Sequence, residues 1–317
     1  MKVKTKSKRI ALIDGDGLIH GAKWRNKFDT MKYGPITLKD AIANYERSIN
    51  ECLKLTWASD YAIAVKGPNN YRDTMYSEYK KSTSRAKNRD DDVPWLGKLK
   101  EYAENREGTV VCDGYEADDL LRIWACEIRD RELVDKVSYI ICTGDKDLDC
   151  IWGQHYQFRR TGMGPKLYKV DPIASNNFFW EQSLTGDTID NIPGIKGVAH
   201  KTAIKLFGGV YTTVEEEVVK PAKVKDKRSR DGFMRVEDPV ELVPEEVTFK
   251  KVSKLTTEPT HDPEEREKIV VKTYVDKHGI EDGYNRFLMN CKLLYMWKHY
   301  GEHFTYDKEK FIALASS

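Results

Sequence analysis

The sequence predicts an α/β protein whose mostly parallel sheet is covered by helices on both faces. Three observations lead there. Short apolar, β-branched runs recur at Arg9–Ile13, Tyr61–Val65, Thr109–Cys112 and Tyr139–Thr143. Segments with helical spacing of apolar residues separate them, and strands that alternate with helices favour parallel pairing. Acidic residues follow the first, third and fourth runs directly, at what would be one edge of the sheet.

Each element has its own warrant. The first strand ends at Asp14-Gly15-Asp16-Gly17, and a helix follows over Leu18–Trp24. Leu38–Trp57 places Ala41, Ile42, Tyr45, Ile49, Cys52 and Leu53 at helical spacing. After the second strand comes a polar stretch from Lys66 to Asp92, in which Lys80, Lys81, Arg85, Lys87 and Arg89 occur without an acid among them. Pro94 opens a helix with Trp95, Leu96, Leu99 and Tyr102 on one face. Glu116–Arg131 is the helix between the third and fourth strands, with Leu120, Leu121, Ile123, Trp124 and Ile128 to bury. Beyond about residue 180 strand signals fade, and a Gly-punctuated helical segment runs from Leu184 to Phe207. Residues 215–268 are rich in charge and hold Pro221, Pro239, Pro244, Pro259 and Pro263, which predicts an irregular insertion and no second core. A helix returns over Gly283–Tyr300.

Composition narrows the function classes. The chain has 317 residues, 40% of them hydrophobic and 11% aromatic, which excludes a disordered chain and allows about two domains. Apolar runs such as Ile10–Ile13 and Tyr139–Cys142 are too short to span a membrane. No apolar region follows the basic start Met1–Arg9, so no secretory signal is expected. Cys52, Cys112, Cys126, Cys142, Cys150 and Cys291 form no CxxC pair, so reduced, buried thiols in a cytosol-like compartment are expected. Lys and Arg number 53 against 51 Asp and Glu, a net charge of +2 that by itself argues against a nucleic-acid partner. The charges are segregated, however: acids at the strand ends, bases at Lys2–Arg9 and Lys80–Arg89.

The acids are Asp14 and Asp16 after the first strand, Asp113, Glu116, Asp118 and Asp119 after the third, and Asp145, Asp147 and Asp149 after the fourth. In an open parallel sheet these ends line one edge, where ligands bind. Two ionised carboxylates ~4 Å apart repel by ~4 kcal/mol at an effective dielectric of ~20, so either protons or a cation must offset the cluster. An oxygen-only donor set suits Mg²⁺ or Mn²⁺. Any one of these acids could equally be a helix cap; Asp118 and Asp119 open a helix, where acids are favoured anyway. The pattern at three strand ends points to a metal site. Asp187 and Asp190, spaced to share a helical face, can join it. Pro193, Gly194 and Gly197 break the helix and allow a turn with exposed backbone N–H groups that could grip phosphate; an ordinary packing hairpin fits the same spacing. His20, His155 and His200 lack ligand spacing and are expected to be structural or solvent-facing.

Four motifs in order, Leu12-Ile13-Asp14-Gly15-Asp16, Glu116-Ala117-Asp118-Asp119, Thr143-Gly144-Asp145-Lys146-Asp147-Leu148 and Gly186-Asp187-x-x-Asp190-Asn191-Ile192-Pro193-Gly194-Ile195, resemble the flap endonuclease (5′-nuclease) superfamily, in its bacteriophage 5′–3′ exonuclease branch. That branch is similar to the 5′-nuclease domain of bacterial DNA polymerase I. The resemblance covers residues 8 to 210. It implies a PIN-like catalytic domain over 1–183 with a helical arch at about 68–100, and a helical DNA-binding region over 184–317. The latter would hold a helix–three-turn–helix motif (184–207), the charged insertion and a C-terminal helix.

The activity implied is divalent-metal-dependent hydrolysis of DNA, or of RNA paired to DNA, from the 5′ end, with flap cleavage. Asp14, Asp16, Glu116, Asp118, Asp119, Asp145, Asp147, Asp187 and Asp190 would hold two Mg²⁺ or Mn²⁺ ions, with Asp14, Asp118, Asp145 and Lys80 catalytic. Arg72, Tyr79, Lys80, Lys81, Arg85, Gly194, Gly197 and Lys201 would contact DNA, and the clamp carbonyls could hold K⁺. The implied protein is a monomer in the cytoplasm (the host's, for a phage protein), with DNA and replication proteins as partners. The sequence departs from the family where a carboxylate is usual at the end of the second strand: it reads Ala64-Val65-Lys66-Gly67, so Lys66 could contact phosphate there or Asp16 supply the missing charge. Two other readings compete. Asp14-Gly15-Asp16 also fits a haloacid-dehalogenase-type phosphohydrolase with Asp14 as nucleophile. The missing acid also fits a DNA-structure-binding module without catalysis.

Overall fold

The computed structural model describes residues 8–23, 34–81, 93–135, 137–158, 164–220, 224–225, 241–242 and 246–317. At its centre β1 (Lys8–Asp14) pairs in parallel with β2 (Asp60–Asn70) on one side and β4 (Val137–Thr143) on the other. β3 (Thr109–Gly114) and β5 (Gly153–Gln157) extend the sheet in parallel, and β6 (Lys166–Val170) closes one edge antiparallel, giving the order β3-β2-β1-β4-β5-β6. The predicted mostly parallel α/β sheet is therefore present, with two further strands, β5 and β6, that the sequence reading did not anticipate.

Ala11, Leu12 and Ile13 are buried on both faces, as a central parallel strand requires. Ala11 and Ile13 pack with α1 (Gly15–Ala22), α2 (Leu38–Thr56) and, beyond α3 (Tyr71–Met75), α4 (Leu96–Glu104). Leu12 packs on the other face against α5 (Ala117–Asp135). Each such side chain contributes about 1.5–3 kcal/mol through burial. Thr37 and Asp40 cap α2 reciprocally, which fixes where it starts. All six cysteines are unpaired and buried.

Four expectations for the second half are corrected. First, the helical segment expected from Leu184 is interrupted. α6 (Pro172–Thr185) stops at Gly186, whose φ is +66°, and β7 (Gly186–Asp187) pairs with β8 (Ile192–Pro193) before α7 (His200–Leu206) begins. The cause is backbone contact: a methyl group on Gly186 would lie 2.3 Å from the Gly194 nitrogen, and one on Gly194 would lie 2.2 Å from the Thr185 carbonyl oxygen. Only two glycines allow this crossing.

Second, the described residues within 215–268 are mostly in regular elements. β9 (Val210–Lys220) and β12 (Glu246–Thr257) form a long antiparallel ribbon, with β10 (Val224–Lys225) and β11 (Glu241–Leu242) as a short pair. The β-branched Val210, Thr212, Thr213, Val214 and Val252, with Glu215–Lys251 and Glu216–Lys254 across the ribbon, outweigh the prolines as a signal. Pro263 begins α8 (Pro263–His278) at the position where a helix tolerates proline, behind the N-cap Asp262.

Third, the helix expected over Gly283–Tyr300 is α9 (Ile280–Leu294), and residues 295–307 are not helical before α10 (Lys308–Ser316). Fourth, the compact units do not divide at residue 183. One unit is Met1–Ala203 with His261–Ser317, and the other is Ile204–Thr260. The C-terminal helices belong with the sheet because Phe287 of α9 meets Trp180 of α6, Tyr274 of α8 and Phe311 of α10. Among the described residues no helix is long and apolar enough to cross a membrane.

Candidate active site

The C-terminal ends of β1, β3 and β4 share one edge of the sheet, because β1 pairs with β4 and, through β2, neighbours β3. There a cavity of about 1000 Å³ is lined by Asp14, Asp16, Lys66, Lys80, Asp118 and Asp145 among others. A narrower cleft is lined by Glu116, Asp118, Asp147, Asp187 and Asp190, so Asp118 borders both spaces. Nine carboxylates were expected to converge, and eight of them line these two spaces; the ninth, Asp119, does not.

Each carboxylate is held locally. Asp14 caps α1: its Oδ1 accepts the Gly17 N–H at 2.9 Å and its Oδ2 the Thr143 hydroxyl at 2.9 Å. The Asp145 side chain accepts the Asp147 N–H at 2.9 Å, opening a single 3₁₀ turn over Lys146–Cys150. Asp187 Oδ1 accepts the N–H groups of Ile189 and Asp190, so this pair stands in a tight turn and not on the helical face expected. Gln182 donates to Asp147 at 2.9 Å and Asn70 to Glu116 at 2.9 Å. Thr143, Gln182 and Asn70 are thus site residues that the sequence reading did not single out; Thr143, directly before Gly144-Asp145, was the most accessible of them by motif position.

The electrostatics divide the acids. Burial, with Asp16 and Asp145 close by, pushes Asp14 up to about 6. Burial and then Asp14 and Glu116 raise Asp118 well above the carboxylate range. Burial, Asp145 and Asp187 push Asp147 up to about 7. Glu116 goes the other way: burial opposes it, but Lys80 and Arg72 hold it down at about 2. Asp16 is raised by burial, yet the charges acting on it are cationic, namely Lys100, His20 and Lys66. Its Oδ2 accepts the Lys66 N–H at 2.9 Å, which places Asp16 at the end of the second strand.

An oxygen-only set in which burial raises Asp14, Asp118 and Asp147 fits a divalent cation, which would offset the charge that burial disfavours. As the side chains stand, no group of three or more described His, Cys, Asp or Glu residues is arranged to hold an ion. Asp119 does not fit as a ligand. It is fully buried, and its two oxygens accept from Arg72 Nη1 and Nη2 at 2.6 and 2.9 Å, from Glu116 N at 3.0 Å and from Trp297 N at 3.0 Å. Its lone pairs are occupied.

The expected DNA contacts separate similarly. Arg72 is 2% exposed and also donates to the carbonyls of Leu293 and Tyr295, so burial removes it from any DNA surface. Tyr79 is 3% exposed, and its hydroxyl donates to Glu116 at 2.9 Å and Asp190 at 3.2 Å; it braces the acids and presents no stacking face. Lys80 keeps its place in the cavity wall, its ammonium against Glu116 and 3.5 Å from Asp190, with φ at +54°. Lys81 and Lys201 are exposed. Gly194 is packed against the backbone of Thr185 and Gly186, whereas Gly197, with φ at +86°, has open space around it. Arg85 lies with the rest of residues 82–92 of the expected arch outside the described residues.

Carboxylates thus gather beside a lysine at one edge of the sheet. Residues 9–173 match the family of the 5′-3′ exonuclease N-terminal resolvase-like domain, and the chain belongs to that family. It is 30% identical over 212 residues to DNA polymerase I of Chloroflexus aurantiacus, covering 62% of this chain and 22% of the polymerase. It is 32% identical over 163 residues to DNA polymerase I of Pseudomonas aeruginosa, covering 48% of this chain and 17% of the polymerase. The chain thus spans about a fifth of the length of these relatives. A solved structure of the bacteriophage T5 flap endonuclease with DNA and metal ions is similar at 18% identity and a TM-score of 0.48, over 63% of this chain and 76% of that one.

Proposed function

We propose that this chain is a divalent-metal-dependent 5′–3′ exodeoxyribonuclease that also cuts 5′ flaps and RNA paired to DNA. The observation that supports it most is the meeting of Asp14, Asp118, Asp145 and Lys80 around one cavity at the sheet edge. Asp14, Asp16, Asp118 and Asp145 would hold one Mg²⁺ or Mn²⁺, and Glu116, Asp118, Asp147, Asp187 and Asp190 a second, with Asp118 shared. Two such ions supply activation of a water and stabilisation of the leaving oxygen.

The chain's own residues do the rest. Thr143 and the Gly17 N–H fix the Asp14 carboxylate, and Gln182 fixes Asp147. Lys80 carries a positive charge next to the carboxylates, where it can pair with the scissile phosphate once that phosphate displaces Glu116 from it. Exposed Lys81 and Lys201 and the turn at Gly197 would hold the DNA backbone without reading sequence. K⁺ at that turn, a monomeric state and replication proteins as partners belong to the same reading, as does work in the cytoplasm.

End-labelled duplex and 5′-flap DNA, incubated with Mg²⁺, Mn²⁺ or EDTA, test it. Release of products from the 5′ end in metal, and none in EDTA, is the expected outcome. Tight binding with no cleavage in either metal would leave a DNA-structure-binding module. Hydrolysis of small phosphate esters alone would favour the phosphohydrolase reading.

A further inference from the structure

The cavity has two walls of opposite charge. On one side Asp14, Asp118 and Asp145 line it, and the leading charges on Asp14 and Asp118 are carboxylates, Asp16 and Glu116 among them. On the other, Lys66 at the end of β2 and Lys100 on α4 face Asp16, together with His20 from α1. Two lysines against one carboxylate leave this second wall net positive even with His20 neutral. Its geometry is fixed from beneath, because the backbone N–H of Lys66 is bound to Asp16 at 2.9 Å while the Lys66 side chain lines the cavity. Gly97 adds no side chain to the wall, and Ile19 and Leu96 add apolar surface beside the lysines.

We propose that the wall formed by Lys66, Lys100 and His20 is a binding subsite for the terminal phosphate of a 5′-phosphorylated DNA strand, with the sugar or base of that nucleotide against Ile19 and Leu96. This rests on the nuclease reading and adds to it a way to recognise the strand end. A phosphate monoester carries up to two negative charges and three acceptor oxygens, which suits paired ammonium groups better than an internal phosphodiester does. Asp16 limits the net charge and holds the strand end in place through Lys66, so the wall does not bind anions indiscriminately.

The test compares three DNAs: a recessed 5′-phosphorylated end, the same end with a 5′-hydroxyl, and a 5′-hydroxyl flap long enough to place internal phosphates in the cavity. Binding is measured in EDTA by fluorescence anisotropy, independent of catalysis. The wild-type protein should bind the phosphorylated end about tenfold tighter than the hydroxyl end, the scale of one charge-assisted contact. Lys66→Gln with Lys100→Gln should bring that ratio close to one, and Lys100→Gln alone should lower it part of the way. A thermal melt of each variant, expected to match the wild type, sets aside a general loss of fold before the ratios are compared. A wild-type ratio of one, a ratio preserved in the double variant, or equal weakening of all three DNAs would overturn the assignment, the last pointing to internal phosphates. Cleavage of the same DNAs in Mg²⁺ separates the two ideas: cleavage with no phosphate preference overturns only the subsite. No cleavage overturns the nuclease reading, while the binding ratio still decides the subsite.

Discussion

Asp118 and Asp119 are neighbours in the chain and belong to two different regions. Asp118 borders the open cavity and the cleft, beside Asp14 and Glu116, and burial with these neighbours raises it well above the carboxylate range. Asp119 lies sealed beneath, its charge matched by a two-point contact with Arg72 and its oxygens filled by two backbone N–H groups. One residue along a helix turns a side chain by about 100°, and that turn separates a carboxylate free for chemistry from one used up in structure. Unsatisfied charge marks the functional region, and satisfied charge marks the scaffold.

The comparison can be broken at several points. Arg72→Ala leaves Asp119 buried without its partner and should cost about 3–5 kcal/mol, seen in denaturant midpoints. An apolar replacement of both residues should cost less than the single change; equal costs would mean that the pair is not coupled. Asp118→Asn should behave in the opposite way, lowering cleavage roughly 10²- to 10³-fold with the melting temperature held or raised, because a neutral isostere replaces a carboxyl that burial already keeps from ionising. A matched loss of stability in Asp118→Asn would place both acids in the scaffold.

A smaller effect concerns pH. Asp14 and Asp147 titrate at about 6 and about 7 in the fold, above their ordinary 3.8. A raised folded value stabilises the metal-free protein below the unfolded value and loses that contribution as pH rises through 6 to 7. Mg²⁺ should therefore stabilise more at pH 8 than at pH 5; at pH 8 a hundredfold excess over its Kd should add about 2.7 kcal/mol. Thermal melts with and without Mg²⁺ at both pH values, repeated in Asp14→Asn, check this; a shift of equal size at both would remove the link between cavity charge and metal.

Much of the catalytic region was legible in the sequence. Strand ends are visible from apolar runs, and parallel topology makes them converge, so Asp14, Asp118 and Asp145 follow from pattern alone. Three things were not legible. The strand Gly153–Gln157 reads Gly-Gln-His-Tyr-Gln, with no apolar run to announce it. The roles of Asp118 and Asp119 depend on Arg72 and on the Trp297 N–H, both remote in sequence. The ribbon of β9 and β12 was obscured by prolines that sit outside its strands, and helix punctuation by Gly186 and Gly194 requires knowing that their backbones touch.

The Arg72 contact also sets a timetable. Its carboxylate partner follows 47 residues later in the chain, but the Leu293 carbonyl comes 221 residues later. At ~5–20 residues per second, a ribosome takes roughly 10–45 s to make that stretch. Until then the guanidinium at the floor of the site lacks acceptors that the finished protein supplies, and a buried donor without one is costly. A nascent chain therefore cannot complete the floor under Glu116 until residues 293–295 have emerged, long after the sheet that carries the carboxylates.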